Sequence, residues 1–316
     1  MALIDVVLPV YNGAAHLRES IESVLKQSLQ SFKLIIVDDC SSDNSRDIIE
    51  KYLCDERVLY LKNGKNKGLF PSLNLLIQNS DSPLIHLWAQ DDVMKPAFLD
   101  AAINFHRKHP DISFSYCAVN IINDEGGEIR SNFKDHTPEV ISPALHDKIA
   151  LYTGSITGNI CNVTLKRKAI EEVGLFDESM KMSGDFDMWV KLTSAAPIGR
   201  IAEPLICLRN HPNQLSRQIR KKYYSTLEDL KIYDVIFERV DADLLRWGLQ
   251  YFRKYKLSYY YNLAVKMLLN GDVALGIKLM RLIHTRCSLW KLQLYVLKNK
   301  LVKNDKTLLD NEFLFT

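Results

Sequence analysis

The sequence predicts an α/β protein with a mostly parallel central sheet, helices on both faces of that sheet, and a C-terminal helical extension. Two patterns lead to this prediction. In the first third of the chain, apolar runs of strand length alternate with segments of helical period. Beyond about residue 217, helical periodicity dominates and glycine is scarce. Strands that alternate with helices favour a parallel sheet, because parallel neighbours need crossover connections.

Four short apolar runs in the first third are the predicted parallel strands. They are Val6–Val10, Leu34–Val37, Val58–Leu61 and Leu84–Trp88. Apolar residues at helical spacing lie between successive runs, so each crossover is predicted to contain a helix.

The middle of the chain is predicted to be mixed. Ile112–Ile121 is a predicted strand that turns back through a glycine pair, and Glu128–Asn132 is its return. Residues 133–155 are polar enough to predict a long loop. Two short helices follow, Lys166–Val173 and Asp187–Thr193.

Charge is distributed unevenly and indicates a domain boundary near residue 216. The whole chain has 41 Lys and Arg against 38 Asp and Glu, a formal net charge of +3. Residues 217–316 contain 19 basic and 10 acidic residues, a net charge of +9, which leaves −6 for residues 1–216. We therefore predict one domain over residues 1–216 and a basic amphipathic helical extension over residues 217–316.

Composition excludes several classes of protein. With 47% hydrophobic and 25% charged residues, the chain is neither disordered nor of low complexity. The small net charge gives no argument for a nucleic-acid partner. Six scattered cysteines are typical of reduced thiols rather than a disulfide framework or a zinc site. Because no signal peptide or membrane-spanning run is evident, we expect a cytoplasmic protein, soluble or peripheral on the inner face of the cell membrane.

Three polar clusters stand at the carboxyl ends of predicted strands, where open α/β sheets bind ligands: Tyr11-Asn12, Asp38-Asp39 and Asp91-Asp92. The adjacent carboxylates of Asp91 and Asp92 repel each other. A divalent cation, Mg²⁺ or Mn²⁺, offsets that repulsion while holding a diphosphate. The structural alternatives are a solvated turn at Asp91-Asp92 that caps the helix beginning near Pro96, a half-buried Tyr11, and capping of the helix after the second strand by Asp39, Ser41 or Ser42.

Two further motifs follow these clusters along the chain, "SGDFDMW" at Ser183–Trp189 and "RNHPNQ" at Arg209–Gln214. With "PVYN", "VDDCSSD", "NKG", "QDD" and "VGLFDE" in this order, they make residues 3–216 resemble the inverting glycosyltransferases of family two, which have the Rossmann-like GT-A fold. The resemblance implies transfer of a hexose-type residue from a nucleotide sugar, most simply a UDP-sugar. It also implies Mn²⁺ or Mg²⁺ as cofactor and inversion at the anomeric carbon.

The resemblance assigns four residues to the nucleotide side of the site. By analogy, Tyr11 and Asp39 contact the nucleobase, and Pro9 shapes the loop that holds them. Asn66, in the "NKG" segment, belongs to the same nucleotide-sugar site.

Five more residues take roles in metal binding and chemistry by the same analogy. Asp91 approaches the ribose or the donor sugar, and Asp92 ligates the metal that bridges both phosphates. His211 lies near the diphosphate or the metal. Asp185 is the general base that deprotonates the acceptor hydroxyl, and Trp189 lines the acceptor side.

The sequence departs from the family pattern at three positions. Gln90 replaces an acidic residue before the paired aspartates, and Gly184 replaces the acidic neighbour of the base. Leu73 stands where the family commonly has an arginine. Lys67 or Arg209 is a candidate to replace that phosphate contact, with a surface position as the alternative for both.

The predicted acceptor is a hydroxyl of a glycan or of a polyprenyl-diphosphate-linked oligosaccharide, in the assembly of a surface polysaccharide such as an O antigen. The basic extension is predicted to contact the membrane that carries such an acceptor. One alternative is a sugar nucleotidyltransferase, although the loop after the first strand has a single glycine, Gly13. The other is a non-catalytic nucleotide-sugar-binding or scaffold protein, against which the presence of both Asp92 and Asp185 argues.

Overall fold

A computed structural model describes residues 2–130, 137–211 and 219–301. The chain divides into two compact units. The first consists of Met1–Pro143 and Thr157–Asn213, and the second of Ala144–Ile156 and Gln214–Thr316. The second unit thus includes a segment that precedes the boundary predicted near residue 216.

The first unit contains one sheet, which has ten strands within the described residues. They are β1 (Ile4–Val10), β2 (Phe32–Asp38), β3 (Val58–Lys62), β4 (Leu84–Leu87), β5 (Val93–Met94), β6 (Phe114–Ile122), β7 (Glu128–Arg130), β8 (Val140–Ile141), β9 (Val163–Lys166) and β10 (Ile198–Arg209). The order across the sheet is β3-β2-β1-β4-β9-β6-β10-β5, with β7 beside β6 and β8 beside β10.

The four predicted strands form one parallel block of this sheet. β1 pairs in parallel with β2 and β4, and β2 pairs in parallel with β3. β9 lies antiparallel between β4 and β6, whereas β10 is parallel to β6. Apolar side chains of β1 and β2 are buried on both faces, as expected for central strands covered by helices. The predicted α/β class with a mostly parallel central sheet is confirmed.

The described residues also form twelve α-helices and one π-helical segment. The helices are α1 (Leu17–Leu25), α2 (Ser45–Glu50), α3 (Leu69–Gln78), α4 (Phe98–Lys108), α5 (Pro143–Thr153), α6 (Arg167–Val173), α7 (Gly184–Leu192), α8 (Ile219–Arg239), α9 (Ala242–Tyr251), α10 (Ser258–Leu269), α11 (Val273–His284) and α12 (Leu289–Leu301), and the π-helical segment is Phe252–Leu257. None of the helices in the described ranges has the length and apolar character needed to cross a membrane.

The prediction of a long loop over residues 133–155 is wrong for most of its length. Residues 133–136 lie outside the described residues, but strand β8 and helix α5 follow them. Helix α5 buries three consecutive residues, Ile149–Leu151, so its sequence lacks the single apolar stripe that marks an amphipathic helix. Its Asp147 carboxylate is 3.0 Å from the Arg239 guanidinium of α8. These contacts within the second unit are distant in sequence, so the local pattern gives no sign of the helix.

The second unit is the helical extension, built from α5 and α8–α12. Its core contains aromatic side chains: the rings of Tyr233 and Phe252 lie 4.8 Å apart, and Phe237 packs against Phe252 at 5.4 Å. Helix α9, the π-helical segment and α10 follow one another without a break.

Candidate active site

The three polar clusters meet at one edge of the sheet. The register pairs Val10 with Asp38 and Val7 with Leu87, so β1 and β2 end side by side and β4 ends opposite Val7, with all three carboxyl ends at the same edge. The Asn12 amide N–H donates to Ser41 Oγ at 3.0 Å, and Asn12 Oδ1 accepts from the Ser42 N–H at 2.8 Å. Parallel pairing alone brings these segments together, as the sequence predicted.

Gln90 fastens the Tyr11 loop to the end of β4. Its Oε1 accepts from the Tyr11 N–H at 2.9 Å, and its Nε2 donates to the Tyr11 carbonyl at 3.2 Å. A carboxylate at this position accepts the first bond but cannot donate the second. Gly13 is part of this arrangement, because a Cβ there would lie 2.4 Å from Gln90 Oε1. The departure from the family pattern at Gln90 therefore has a structural role that sequence analysis missed.

Asp39 organises the loop before α3 and does not cap the helix that follows it. The buried carboxylate accepts from Asn63 Nδ2 at 2.8 Å, from the Lys67 N–H at 2.9 Å and from the Gly68 N–H at 2.8 Å. The capping alternative for Asp39 is wrong, because the first turn of α2 is bonded by Asp43, whose Oδ1 accepts from the Ser45 N–H at 3.0 Å.

The residues assigned to the nucleotide side lie along this edge. Tyr11 is 48% exposed, which agrees with the half-buried alternative and still leaves about half of the residue's surface open to a ligand. Asn66 is exposed beside the two backbone N–H groups that Asp39 holds, and Pro9 lies in β1 opposite Val37. The neighbouring Asp38 is buried and accepts from the Ser41 N–H at 2.9 Å.

Asp91 and Asp92 have different environments. Asp91 Oδ2 lies 3.0 Å from His211 Nε2, and both side chains are partly exposed. Asp92 is buried, and its Oδ1 accepts from the Arg209 N–H at 2.8 Å. Burial, together with the Asp91 charge, raises the pKa of Asp92 to about 7, against bonds from Cys161 and Arg209 that favour its charged form.

Arg209 is a buried structural residue and not a surface or phosphate-binding one. Its guanidinium donates to the backbone carbonyls of Asp91, Asn123 and Asp124, and to Glu19 Oε2 at 2.6 Å. These bonds join the end of β10 to the β4 end and to the turn after β6. The expectation of a phosphate contact by Arg209 is corrected, because its donors already bind the protein. Lys67, the other candidate, is exposed.

Helix α7 carries the predicted base. It begins at Gly184, with Ser183 at the N-cap position, three residues before the predicted start at Asp187. Asp185 lies half-exposed in the first turn, where the helix dipole favours a carboxylate. A Cβ at Gly184 would lie 2.8 Å from the Phe70 ring of α3, so an acidic side chain at this position would require Phe70 to move. Asp187 forms an ion pair with Lys191 at 2.6 Å.

The expectation that Trp189 lines the acceptor side is corrected. Trp189 is fully buried, with its ring 4.9 Å from Phe114 and 6.4 Å from Phe176. Its indole N–H has no hydrogen-bond partner among the described residues. Trp189 therefore supports α7 from inside the core, and a helix position cannot show this without knowledge of its neighbours.

The pair formed by Asp91 and His211 brings a carboxylate and an imidazole, two side-chain types that can bind divalent cations, to this edge. Within the ranges that the structure describes, no group of three or more His, Cys, Asp or Glu side chains is arranged to hold a metal ion. Two protein ligands still fit a cation of this class, because such ions commonly take their remaining ligands from substrate phosphates and water. An imidazole ligand favours Mn²⁺ over Mg²⁺.

Comparison with known proteins places the chain in a family. The model of glycosyl transferase family 2 matches residues 5–174. An uncharacterized glycosyltransferase of Rickettsia felis is 28% identical over 218 residues, 69% of this chain but 36% of that protein. One from Rickettsia prowazekii is 29% identical over 67% of this chain and 65% of its own length. This chain thus matches about a third to two thirds of these relatives.

Solved structures share the fold. A fragment of S. aureus TarS in complex with UDP-GlcNAc has a TM-score of 0.69 at 17% identity, over 94% of this chain and 84% of that one. The mannosyltransferase PcManGT of Pyrobaculum calidifontis, in complex with GDP-Man and Mn²⁺, has a TM-score of 0.54 at 13% identity, over 96% and 88% of the two chains. Because the family model covers more than half of the chain and the strand-end clusters lie together, the protein belongs to glycosyl transferase family 2, with a GT-A type fold.

Proposed function

We propose that the protein is a metal-dependent inverting glycosyltransferase that moves a hexose-type residue from a UDP-sugar to a hydroxyl of a glycan or lipid-linked oligosaccharide. The observation that carries this proposal is the Asp91–His211 pair. A carboxylate and an imidazole lie 3.0 Å apart and partly exposed at the edge where β1, β2 and β4 end. Ligands of open α/β folds bind at this edge.

In this proposal, Asp91 and His211 hold the cation. Asp92 has a positioning role, because its carboxylate accepts from the Arg209 N–H two residues before His211. The family resemblance assigns the metal to Asp92, but that carboxyl is 4% exposed and already accepts from the Arg209 backbone. Asp91 and His211 are the more accessible pair. When bound, the cation neutralises charge on the departing diphosphate.

The donor nucleotide is proposed from the shape of the edge and from the neighbours. The exposed Tyr11 ring offers a surface on which a base stacks. Asp39 already accepts three hydrogen bonds, so contact with a base uses its remaining lone-pair capacity. TarS structures contain UDP-GlcNAc or UDP, which favours uridine over the guanosine of PcManGT.

Asp185 is proposed to take the proton of the acceptor hydroxyl as that oxygen attacks the anomeric carbon. One base and no nucleophile from the protein correspond to a single displacement, so the anomeric configuration inverts and an α-linked donor yields a β-linkage. The diphosphate leaves as the new glycosidic bond forms.

The acceptor is proposed to be membrane-anchored, in the synthesis of a surface polysaccharide. One face of α12 exposes Trp290, Leu294 and Leu297, at helical spacing, whereas the opposite face buries Leu292 and Val296. The exposed Lys291 ammonium lies over the Trp290 ring at 5.5 Å. Aromatic and leucine side chains beside lysines are typical of helices that lie at a lipid interface.

Co-sedimentation with vesicles tests this membrane contact. The wild-type chain is expected to bind vesicles rich in phosphatidylglycerol at low salt and to release as salt rises. Trp290→Ala should weaken binding, whereas Ile129→Ala, which shortens an exposed apolar residue of the first unit, should not. No binding to anionic vesicles would remove the membrane part of the proposal and leave the transferase part intact.

Isothermal titration with UDP, GDP and dTDP, in Mn²⁺ or Mg²⁺, tests the donor site. We expect UDP to bind in the presence of Mn²⁺, and Asp91→Asn or His211→Gln to weaken it by about tenfold or more. Asp81→Asn is the matched control, because Asp81 is an exposed carboxylate paired with Lys33. If no nucleotide binds with either metal, the transferase proposal fails and a scaffold role takes its place.

A further inference from the structure

The second unit contains a cavity of about 380 Å³ that the proposed reaction does not use. Helix α8 lines it with Lys222, Ser225 and Asp229, and the π-helical segment and α10 line it with Lys256 and Tyr260. This volume is within the range of small-molecule sites, which is roughly 300–1,000 Å³. The residues that line the cavity carry ammonium, carboxylate and hydroxyl groups.

Lys256 is a largely buried charge in the lining of this cavity. Its ammonium makes no ion pair or hydrogen bond within the described part of the chain, and it lies 5.9 Å from the centre of the Tyr233 ring. Burial lowers the pKa of Lys256, although the Asp229 charge acts in the opposite direction. Lys256 belongs to the π-helical segment, a rare conformation that is frequent at functional sites. An anionic group entering the cavity would give this ammonium a partner.

The rest of the lining indicates what accompanies the anion. Asp229 Oδ2 accepts from the Tyr260 hydroxyl at 3.0 Å and from Ser225 Oγ at 3.5 Å, so its carboxylate is held in place. A carboxylate repels a free phosphate dianion but accepts hydrogen bonds from sugar hydroxyls. Tyr259 lines the same cavity and is 53% exposed, which leaves an aromatic face for a sugar ring. Lys222 supplies the second ammonium.

We propose that this cavity binds a phosphorylated sugar, with the phosphate at Lys256 and Lys222 and the sugar hydroxyls at Asp229. The residues that line the cavity all belong to the second unit, whereas the residues of the proposed donor site belong to the first, so this proposal goes beyond the proposed transfer reaction. A sugar phosphate bound here requires neither a nucleotide nor a divalent cation.

The test is calorimetric titration of the whole 316-residue chain with α-glucose 1-phosphate, without metal or nucleotide. Saturable binding is expected, and glucose and inorganic phosphate should each bind more weakly. Lys256→Met should weaken glucose 1-phosphate binding roughly 10-fold to 100-fold, because a hydrogen-bonded charge pair is lost. Lys254→Met is the matched control: Lys254 belongs to the same π-helical segment, is exposed, and lies over the Tyr255 ring at 4.8 Å.

Thermal unfolding separates a binding role from a structural one. Methionine has a similar length to lysine and no charge to bury, so Lys256→Met should keep or raise the melting temperature while it loses binding. A lower melting temperature with unchanged binding would overturn the proposal. Equal affinity for inorganic phosphate, or no saturable binding by the wild type, would also overturn it. Loss of binding in Asp91→Asn but not in Lys256→Met would place the ligand in the donor site instead.

Discussion

Replacing Arg209 by methionine tests how the candidate metal pair is held in place. The guanidinium is buried and bonded to three backbone carbonyls, those of Asp91, Asn123 and Asp124, and to Glu19. His211 follows two residues later and contacts Asp91. Methionine fills much of the same volume but leaves these acceptors without their donors.

The expected loss of stability follows from those bonds. A hydrogen bond from a charged donor contributes about 1.5–3 kcal/mol, and the three carbonyl bonds are not additive. The Glu19 side chain is more than half exposed, so its ion pair adds no more than about 1 kcal/mol. We therefore expect Arg209→Met to cost about 3–5 kcal/mol, a large part of a typical stability of about 5–15 kcal/mol.

Urea unfolding combined with hydrogen exchange measures this effect in the first unit. With a slope of about 2–3 kcal/mol/M, the urea concentration at the midpoint should fall by about 1–2.5 M. Exchange in β10 and β4 should accelerate, and UDP binding should weaken because His211 loses its position. Arg209→Lys, which retains the charge but fewer donors, should lie between wild type and Arg209→Met. A loss below about 1 kcal/mol in Arg209→Met would refute the argument, since it would mean that the buried bonds contribute little.

Three further predictions concern the same unit. Asp185→Asn should lower kcat by roughly 10²–10⁴-fold and leave UDP binding unchanged, as measured by turnover and titration, whereas weakened UDP binding would argue against a base role. Because burial and the Asp91 charge raise the pKa of Asp92 to about 7, the folded chain keeps a proton that the unfolded carboxyl, with a pKa near 3.8, has released. The contribution of the Asp92 carboxyl to metal-free stability should therefore be greatest below about pH 4, fall as the pH rises to about 7, and level off above. Urea unfolding of Asp92→Asn should lack this component of the pH dependence, and an unchanged pH dependence there would assign it to another group. Gly13→Ala should displace the Gln90 amide and lower the free energy of unfolding by about 1–2 kcal/mol. In a Gln90→Ala background, the same substitution should cause little further loss of stability, because the clashing amide is absent. Additive losses in the double variant, measured by urea unfolding, would exclude the clash.

Differences between the predicted and observed structures come from contacts between distant residues. The sequence correctly predicts that Trp189 lies in a helix, but its contacts with Phe114 and Phe176 decide that it faces the core. Helix α5 resembles a polar loop locally, yet it is held by α8 through Arg239. In each case a deciding neighbour is distant in the chain, Phe114 for Trp189 and Arg239 for α5.

Site residues show the same division. The paired aspartates at the end of β4 are evident in the sequence, but the sequence does not show which of the two carboxyls is buried and which is accessible. The fold separates them, because β10 returns to this edge and brings the Arg209 N–H to Asp92 and the His211 ring to Asp91. One carboxyl becomes buried with a raised pKa, and the other is left partly exposed beside an imidazole.

The sequence by itself determined the α/β class, the four parallel strands and the polar segments at their carboxyl ends, because hydrophobic period and turn residues are local properties. Parallel pairing then made the meeting of those segments predictable. Only the tertiary structure decided which polar groups are buried, which are accessible, and which donors are already used, since these depend on the return of β10 and on the packing of α7 against α3. Burial and partner choice are properties of the assembled chain, and they distinguish the accessible Asp91–His211 pair from the buried Asp92 and Arg209.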